Sequence, residues 1–178
     1  MLWRKSKNEK KSEEKAPEPA SAGLLGSILL VVDGSEPSMA AARFAVQLGS
    51  QLGTLITAAY VVDTATMDYL LQTHIFVFEE RAEFEQDLEN TGGRYLQYVE
   101  TIGKNHGITV ETAMEKGSIH QTVLQMAREL KVDAIVVGGW RRSITRKDAT
   151  SVERQLILDQ ADCPVIVVKP EKTRETKV

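Results

Sequence analysis

The sequence predicts an α/β protein, a three-layer α/β/α sandwich with a five-stranded parallel sheet as its middle layer. Two observations predict this class. Four short, continuous runs of β-branched residues and leucine are typical of strands buried on both faces, and a fifth run alternates. Segments with helical spacing separate the five runs, and this strand–helix alternation implies parallel strands with helices on both faces.

The first part of the chain predicts two strands joined by a helix. The run "SILLVV" at 27–32 is the first strand, and Pro37 lies near the first turn of the helix that follows. Gly53 ends this helix, and "TLITAAYVV" at 54–62 is the second strand. The segment 63–77 has no clear period and is predicted to be a loop. The inward stripe predicted for the helix is Ala41, Phe44, Ala45, Leu48 and Leu52.

A long helix is predicted over 78–105, before the third strand. Its apolar residues stay in helical phase across Gly92 and Gly93, so the glycine pair is expected to weaken or kink one helix. The segment 108–115 alternates, which is typical of a strand near the edge of a sheet. The inward residues predicted for the helix are Phe84, Leu88, Tyr95, Leu96, Val99 and Ile102.

Two more helix–strand units complete the pattern. Ser118 opens a capping-box pattern before a helix, and 133–139 is a continuous strand that ends in glycines. Thr150 or Ser151 is expected to start the last helix, and 163–168 is the final strand. The inward residues predicted for the two helices are Ile119, Val123, Met126, Ala127 and Leu130, then Val152, Leu156, Ile157 and Ala161.

The first 26 residues differ from the rest of the chain in composition. They are rich in Lys, Glu, Pro, Ala and Ser, with almost nothing to bury, and are predicted to be a disordered tail. Leu2 and Trp3 with the following lysines resemble a weak membrane or partner anchor, but a solvated tail is the favoured interpretation. The domain is predicted over 27–170, and 171–178 forms a C-terminal tail.

Charge and composition exclude several classes of function. A net charge of −3 argues against general binding to nucleic acids or membrane surfaces. No apolar run approaches the roughly 18–20 residues of a transmembrane helix, and no signal-peptide core follows the basic start. Cys163 is the single cysteine, which fits a reduced, cytoplasmic setting. His74, His106 and His120 show no metal-ligand spacing, so we expect no metal.

Three stretches together resemble the universal stress protein family: "ILLVVDGSEPS" at 28–38, "GSIHQTVLQMARELKVDAIVVG" at 117–138 and "DCPVIVVKP" at 162–170. The likeness covers 27–170. It implies strand order 3-2-1-4-5 and a non-enzymatic, cytoplasmic stress-response or regulatory protein. It also implies a homodimer formed through the last strand, whose residues are Val165, Ile166, Val167 and Val168.

Many members of this family bind ATP or another adenine nucleotide through a glycine motif. Gly138 matches the first glycine of that motif, but Arg141 stands where the second would be. Without a gap, the third glycine and the hydroxyl residue fall on Ser151 and Val152; with a gap of one residue they fall on Thr150 and Ser151. Either way two of three glycines are missing, so we predict weak or absent nucleotide binding.

The basic segment "RRSITRK" at 141–147 has two interpretations. Arg141 and Arg142, with Arg146 and Lys147, could clamp a phosphate directly, or they could form a solvated loop. Neighbouring Trp140 could cover a ligand or contact a dimer partner. A further alternative is an interaction module, in which the tail or the Trp140 loop docks a protein such as a membrane transporter.

The resemblance makes Asp33 a candidate contact on the adenine side of a ligand, with Val31 and Val62 as the apolar wall. The alternative for Asp33 is a turn-forming carboxylate, and Gly34 is interpreted as a turn requirement. Because ligands of open parallel sheets bind where strand order reverses, Asp33 and Gly34 are expected to face Gly138 and Gly139 across a crevice.

The start of the last helix also has two interpretations. Thr150 and Ser151 are either ligand contacts or helix caps, since Thr150 and Glu153 form a capping-box pair. In the second case the Glu153 carboxylate would fold back over the helix N-terminus and repel a phosphate. Because no activated nucleophile or general base is evident, we expect no catalytic activity.

Overall fold

The computed structural model describes residues 24–73, 78–139 and 149–169. Within these ranges five strands alternate with helices, and two helices lie between the second and third strands. The elements are β1 Ser27–Val31, α1 Glu36–Leu52, β2 Leu55–Asp63, α2 Thr64–Gln72, α3 Phe78–Asn105, β3 Val110–Gly117, α4 Ile119–Leu130, β4 Ala134–Gly138, α5 Ala149–Gln160 and β5 Val165–Val168.

The five strands form one parallel sheet in the order β3-β2-β1-β4-β5, so the predicted order is confirmed. β1 is central, and its Leu30 lies opposite Ala58 of β2 on one side and Val136 of β4 on the other. The chain first winds outward from β1 to β3, then returns and winds from β4 to β5. The winding direction therefore reverses between β1 and β4.

Helices cover both faces of the sheet, which gives the predicted three layers. Successive residues of a strand point to opposite faces, so Ile28 and Leu30 of β1 pack in one buried cluster and Leu29 in another. The first cluster contains residues of α1 and α3, among them Val46 and Val99. The second cluster contains residues of α4 and α5.

The prediction of a loop over 63–77 is wrong for most of its length. β2 continues to Asp63, and α2 follows at once. Asp63 is the N-cap of α2, and its Oδ1 accepts a hydrogen bond from the Thr66 backbone N–H at 3.0 Å. Met67 is the buried residue of this short helix. One inward residue produces no recognisable period, which explains why the helix was missed.

Several residues predicted to face inward are exposed. Phe44 and Leu52 of α1 are 38% and 63% exposed, and Leu130 at the end of α4 is 48% exposed. Phe84 and Val152 are 40% and 44% exposed. In α1 the residues in contact with the sheet are small, including Ala41, Ala42, Ala45 and Gly49. Because small residues let α1 lie close to the sheet, the larger side chains of Phe44 and Leu52 lie at the margins of its inner face.

The helix α3 runs without interruption through Gly92 and Gly93. A Cβ at Gly92 would lie 2.3 Å from the Tyr60 ring, whereas a Cβ at Gly93 would meet nothing within 4 Å. The glycine pair therefore does not end the helix, and Gly92 lets α3 approach β2 closely.

The structure describes only a small part of the predicted tails. Residues 1–23 and 170–178 lie outside the described residues, as does the C-terminal tail predicted over 171–178. Leu25 and Gly26, assigned to the predicted tail, bond to the domain: the Thr54 hydroxyl donates to the Leu25 carbonyl, and the Leu55 N–H donates to the Gly26 carbonyl, both at 2.8 Å.

Candidate ligand crevice at the carboxyl ends of the strands

A cleft of about 170 Å³ lies at the carboxyl ends of β1 and β4, where the strand order reverses. This is where open parallel sheets bind their ligands. Val31, Val61, Val137, Ile119, Ile157 and Leu88 provide apolar walls. The charged residues among its described lining are Asp33, Asp63, Glu153 and Arg154.

The turn after β1 is held by its own side chains. Asp33 Oδ1 accepts a hydrogen bond from the Ser35 N–H at 2.9 Å, and Ser35, the N-cap of α1, accepts one from the Ser38 N–H at 3.3 Å. Gly34 has φ +77°, and a Cβ there would lie 2.1 Å from the Tyr95 ring. The turn-forming role of Asp33 and the turn requirement at Gly34 are both confirmed.

Arg154 of α5 lines this crevice, although no pattern in the sequence points to it. The residue is 8% exposed, and its Nη2 forms an ion pair with Asp33 Oδ2. Nη2 also donates to the Ser35 hydroxyl at 2.9 Å, and Nη1 donates to the Gly139 carbonyl at 3.2 Å. We call Arg154, Asp33, Ser35 and Gly139 the Arg154 clasp.

The clasp keeps Asp33 ionised. Burial raises the pKa of the Asp33 carboxyl, but hydrogen bonds with Ser35 and the positive charge of Arg154 outweigh burial. The net result is a pKa below the ordinary value of 3.8. Asp33 is therefore a carboxylate at neutral pH, with protein donors on both of its oxygens.

Glu153 connects the start of α5 to the start of α4. Its Oε2 accepts a hydrogen bond from the His120 backbone N–H at 2.8 Å and lies 2.9 Å from His120 Nδ1. The side chain of Thr150, the other member of the capping-box alternative, lies outside what the structure describes. The capping box predicted at Ser118 is wrong: Ser118 is the N-cap of α4 but makes no side-chain capping bond. The Glu153 carboxylate reaches across from α5 and supplies an acceptor at the start of α4.

The structure brings some of the predicted site residues together. Val31, Asp33 and Gly138 line the cleft, and Gly139 joins it through its carbonyl. Val62 is fully buried and packs in the cluster beneath α1 and α3. The expected juxtaposition of Asp33 with the end of β4 is therefore observed.

The remaining predicted site residues contribute less or are not described. Val152 is 44% exposed and is not among the residues that line the cleft. Thr150 and Ser151 lie in the first turn of α5, which begins at Ala149. Trp140, Arg141, Arg142, Arg146 and Lys147 lie outside the described residues.

The described residues show no cluster of metal ligands and one cysteine with a raised thiol pKa. Within 24–73, 78–139 and 149–169, no group of three or more His, Cys, Asp or Glu side chains could hold a metal ion. His74 lies outside these ranges. Burial, with the nearby Asp162 carboxylate, raises the pKa of the Cys163 thiol, which makes it a weaker nucleophile. None of the helices described is long and apolar enough to cross a membrane.

The fold and the crevice define a class: open, parallel α/β proteins with the nucleotide α-hydrolase-like arrangement of strands. The model of the universal stress protein family matches residues 25–169, so the chain belongs to this family. A relative is universal stress protein MJ0531 of Methanocaldococcus jannaschii, which is 25% identical over 149 residues. The alignment covers 84% of this chain and 85% of the relative.

Solved structures share the fold at low sequence identity. A universal stress protein family member from Burkholderia pseudomallei has a TM-score of 0.64 at 20% identity, covering 85% of this chain and 100% of its own. A family member from Arabidopsis thaliana, solved with AMP bound, has a TM-score of 0.57 at 16% identity. That match covers 82% of this chain and 92% of the Arabidopsis chain.

Proposed function

We propose that this chain is a non-enzymatic, cytoplasmic regulatory protein of the universal stress type, a homodimer with weak or absent nucleotide binding. One observation carries the proposal on binding: the guanidinium of Arg154 lies in the crevice and already bonds to Asp33, Ser35 and Gly139. A nucleotide would have to compete with these contacts for both the space and the hydrogen-bonding groups.

The size and charge of the cleft support the same proposal. Ligand pockets have volumes of about 300–1,000 Å³, and this cleft has about 170 Å³. Its described lining carries three carboxylates and one guanidinium. Because like charges in a partly buried site repel strongly, this lining disfavours a polyphosphate.

A binding measurement tests this proposal. Isothermal titration of the purified protein with Mg-ATP, and separately with AMP, is expected to give no heat of binding at high micromolar nucleotide. Mass spectrometry of small molecules that co-purify with the native protein provides an independent check. Low-micromolar affinity for either nucleotide, or stoichiometric nucleotide in the purified protein, would contradict the proposal.

Among the strands that the structure describes, β5 pairs with β4 alone and forms one edge of the sheet, and the proposed dimer uses this edge. The backbone N–H of Ile135, within β4, donates to the Pro164 carbonyl. The backbone N–H of Gly139, directly after β4, donates to the Val168 carbonyl. In an extended strand alternate residues point their backbone groups to opposite sides, so Val165 and Val167 direct theirs to the open edge. Such an edge is a template for pairing with a second copy.

Sedimentation at tens of micromolar protein tests the dimer. Val167→Pro removes an outward N–H and leaves the bonds to β4 in place, so it is expected to shift the protein towards monomer. Far-UV circular dichroism of Val167→Pro checks that the variant is still folded. A wild-type protein that sediments only as monomer would contradict the proposed dimer.

A second candidate function is an ATP-binding switch that uses the basic loop 141–147. The Arabidopsis relative with AMP bound favours it, since the cleft described above occupies the switch point of the same fold. This candidate predicts measurable Mg-ATP binding that Asp33→Ala together with Arg141→Glu abolishes. An absence of heat in the wild-type titration would remove it.

A further inference from the structure

The Arg154 clasp connects three separate parts of the chain at the mouth of the crevice. Asp33 follows β1, Ser35 caps α1, and Gly139 follows β4, whereas Arg154 belongs to α5. The pair Arg154–Asp33 spans 121 positions of sequence. The arginine thus bridges β1 and β4 across the point where the strand order reverses, which is the point where a ligand would enter.

The clasp joins the buried Arg154 to the half-buried side chains of Asp33 and Ser35. The Arg154 side chain is 10% exposed and the Asp33 side chain 24% exposed. Arginine presents its donors in a rigid, planar fork, and here one edge of that fork contacts a carboxylate, a hydroxyl and a carbonyl at once. A lysine carries its three donors on one nitrogen, so it lacks the planar pair of nitrogens that serves these three acceptors here.

The clasp also changes which chemistry the crevice offers. With Arg154 in place, both Asp33 oxygens have protein donors, and the Glu153 carboxylate bonds to His120. The Asp63 carboxylate accepts from the backbone N–H and the hydroxyl of Thr66. The charged groups that line the cleft are therefore engaged by the protein, and the walls between them are apolar.

We propose that Arg154 is the residue that sets ligand specificity at this crevice, by acting as a built-in occupant of the position that a ligand would take. Replacing it frees the Asp33 carboxylate to accept N–H groups from a neutral heterocycle. The affinity for phosphorylated ligands rises less, because the carboxylates of Asp33, Asp63 and Glu153 remain and repel a phosphate. This inference rests on the proposed weak or absent nucleotide binding and names the residue responsible for it.

The test compares Arg154→Met with wild type by isothermal titration, using adenosine and Mg-ATP as probes. Methionine has similar length but no charge and no donor. We expect Arg154→Met to bind adenosine at least tenfold more tightly than wild type, with a smaller gain for Mg-ATP. Arg154→Lys keeps the charge but loses the fork, and it is expected to show an intermediate gain for adenosine.

Arg128→Met is the matched control. Arg128 also pairs with an aspartate, Asp162, but both side chains are exposed, at 59% and 71%. We expect adenosine binding by this variant to equal that of wild type. An equal gain in Arg128→Met and Arg154→Met would overturn the inference, because loss of any positive charge would then suffice.

Folding of Arg154→Met is checked by far-UV circular dichroism and thermal melting. If this variant does not fold, Arg154→Lys carries the test, because it keeps a positive charge beside Asp33 and leaves the Asp33 carboxylate in place. It must then bind adenosine more tightly than wild type does. If Arg154→Met folds but binds adenosine no better than a wild type that does not bind it, this inference is overturned and the proposed function stands. Tight Mg-ATP binding by wild type would instead contradict the proposed function.

Discussion

Two arginine–aspartate pairs in this molecule have the same chemistry and different surroundings. Arg154–Asp33 lies beside the cleft at the carboxyl ends of the strands, with side chains 10% and 24% exposed. Arg128–Asp162 lies beside a second cavity of about 280 Å³, with Nε and Oδ2 2.6 Å apart and side chains 59% and 71% exposed. Each pair joins a helix to a segment beside a strand end. The two pairs differ in burial and in the further bonds that Arg154 makes to Ser35 and Gly139, so comparing them shows how the surroundings change an ion pair.

Solvent determines how strongly each pair acts. Water screens the charges of Arg128 and Asp162, so their attraction is weak. Around Arg154 and Asp33 water is largely excluded, so removal of one partner leaves the other charge uncompensated. We infer that the buried pair organises the crevice and limits what can enter it, whereas the exposed pair adds little to either stability or binding.

The largest effect is expected for Arg154→Ala. The substitution leaves the Asp33 carboxylate partly buried without its counter-ion, and breaking such a pair costs about 3–5 kcal/mol. Urea unfolding followed by circular dichroism measures the free energy of unfolding. A loss below about 1 kcal/mol would show that the buried pair behaves like an exposed one.

A smaller loss is expected for Gly138→Ala, at the end of the strand that faces Asp33. A Cβ there would lie 2.5 Å from the Pro37 carbonyl carbon and the Ser38 nitrogen, so the start of α1 would have to move. Overpacking of this kind costs about 1–3 kcal/mol. Gly93→Ala in α3 meets nothing within 4 Å and is the control, expected to raise the free energy of unfolding by about 0.5–1 kcal/mol. Thermal melting would reveal the opposite signs; a loss in both variants would refute the packing argument.

Acid unfolding sharpens the comparison further. The pKa of Asp33 is lower in the folded protein than the ordinary value of 3.8, so its ionisation stabilises the fold fully above that value. This contribution is lost as the pH falls through the folded-state pKa. The free energy of unfolding of the double variant Asp33→Asn with Arg154→Met is therefore expected to fall less steeply than that of wild type between about pH 5 and pH 3. Parallel curves would indicate that Asp33 is not held ionised by the clasp.

The smallest effect is expected for Arg128→Ala. An exposed pair contributes about 0–1 kcal/mol, and salt screens it further. Urea unfolding at low and high salt should give a loss within that range that shrinks as salt is added. A loss comparable to that of Arg154→Ala would mean that burial is not what distinguishes the two pairs.

The strands could be predicted well because buried parallel strands leave a strong local pattern, as in "SILLVV" at 27–32. The short helix α2 was missed because Met67 is its buried residue, although Asp63 was a usable capping signal. The turn at Asp33 and Gly34 was predicted from local chemistry, and its position opposite Gly138 followed from the topology.

Arg154 and Glu153 could not be assigned in the same way. Arg154 is 121 positions away from Asp33, and a lone arginine on a helix carries no local sign of a buried partner. Glu153 fits a capping pattern with Thr150, but its bond to His120, 33 positions away, depends on α4 and α5 lying side by side. A contact set by tertiary packing in this way leaves no local signal in the sequence.

A pair of double-mutant cycles tests the central claim most directly. One cycle removes Arg154 and Asp33 singly and together, and the other does the same for Arg128 and Asp162, with the free energy of unfolding measured by urea titration. We predict a coupling energy of about 2 kcal/mol or more for the buried pair and below about 1 kcal/mol for the exposed pair. Equal coupling energies, or none between Arg154 and Asp33, would contradict the claim that Arg154 occupies the crevice.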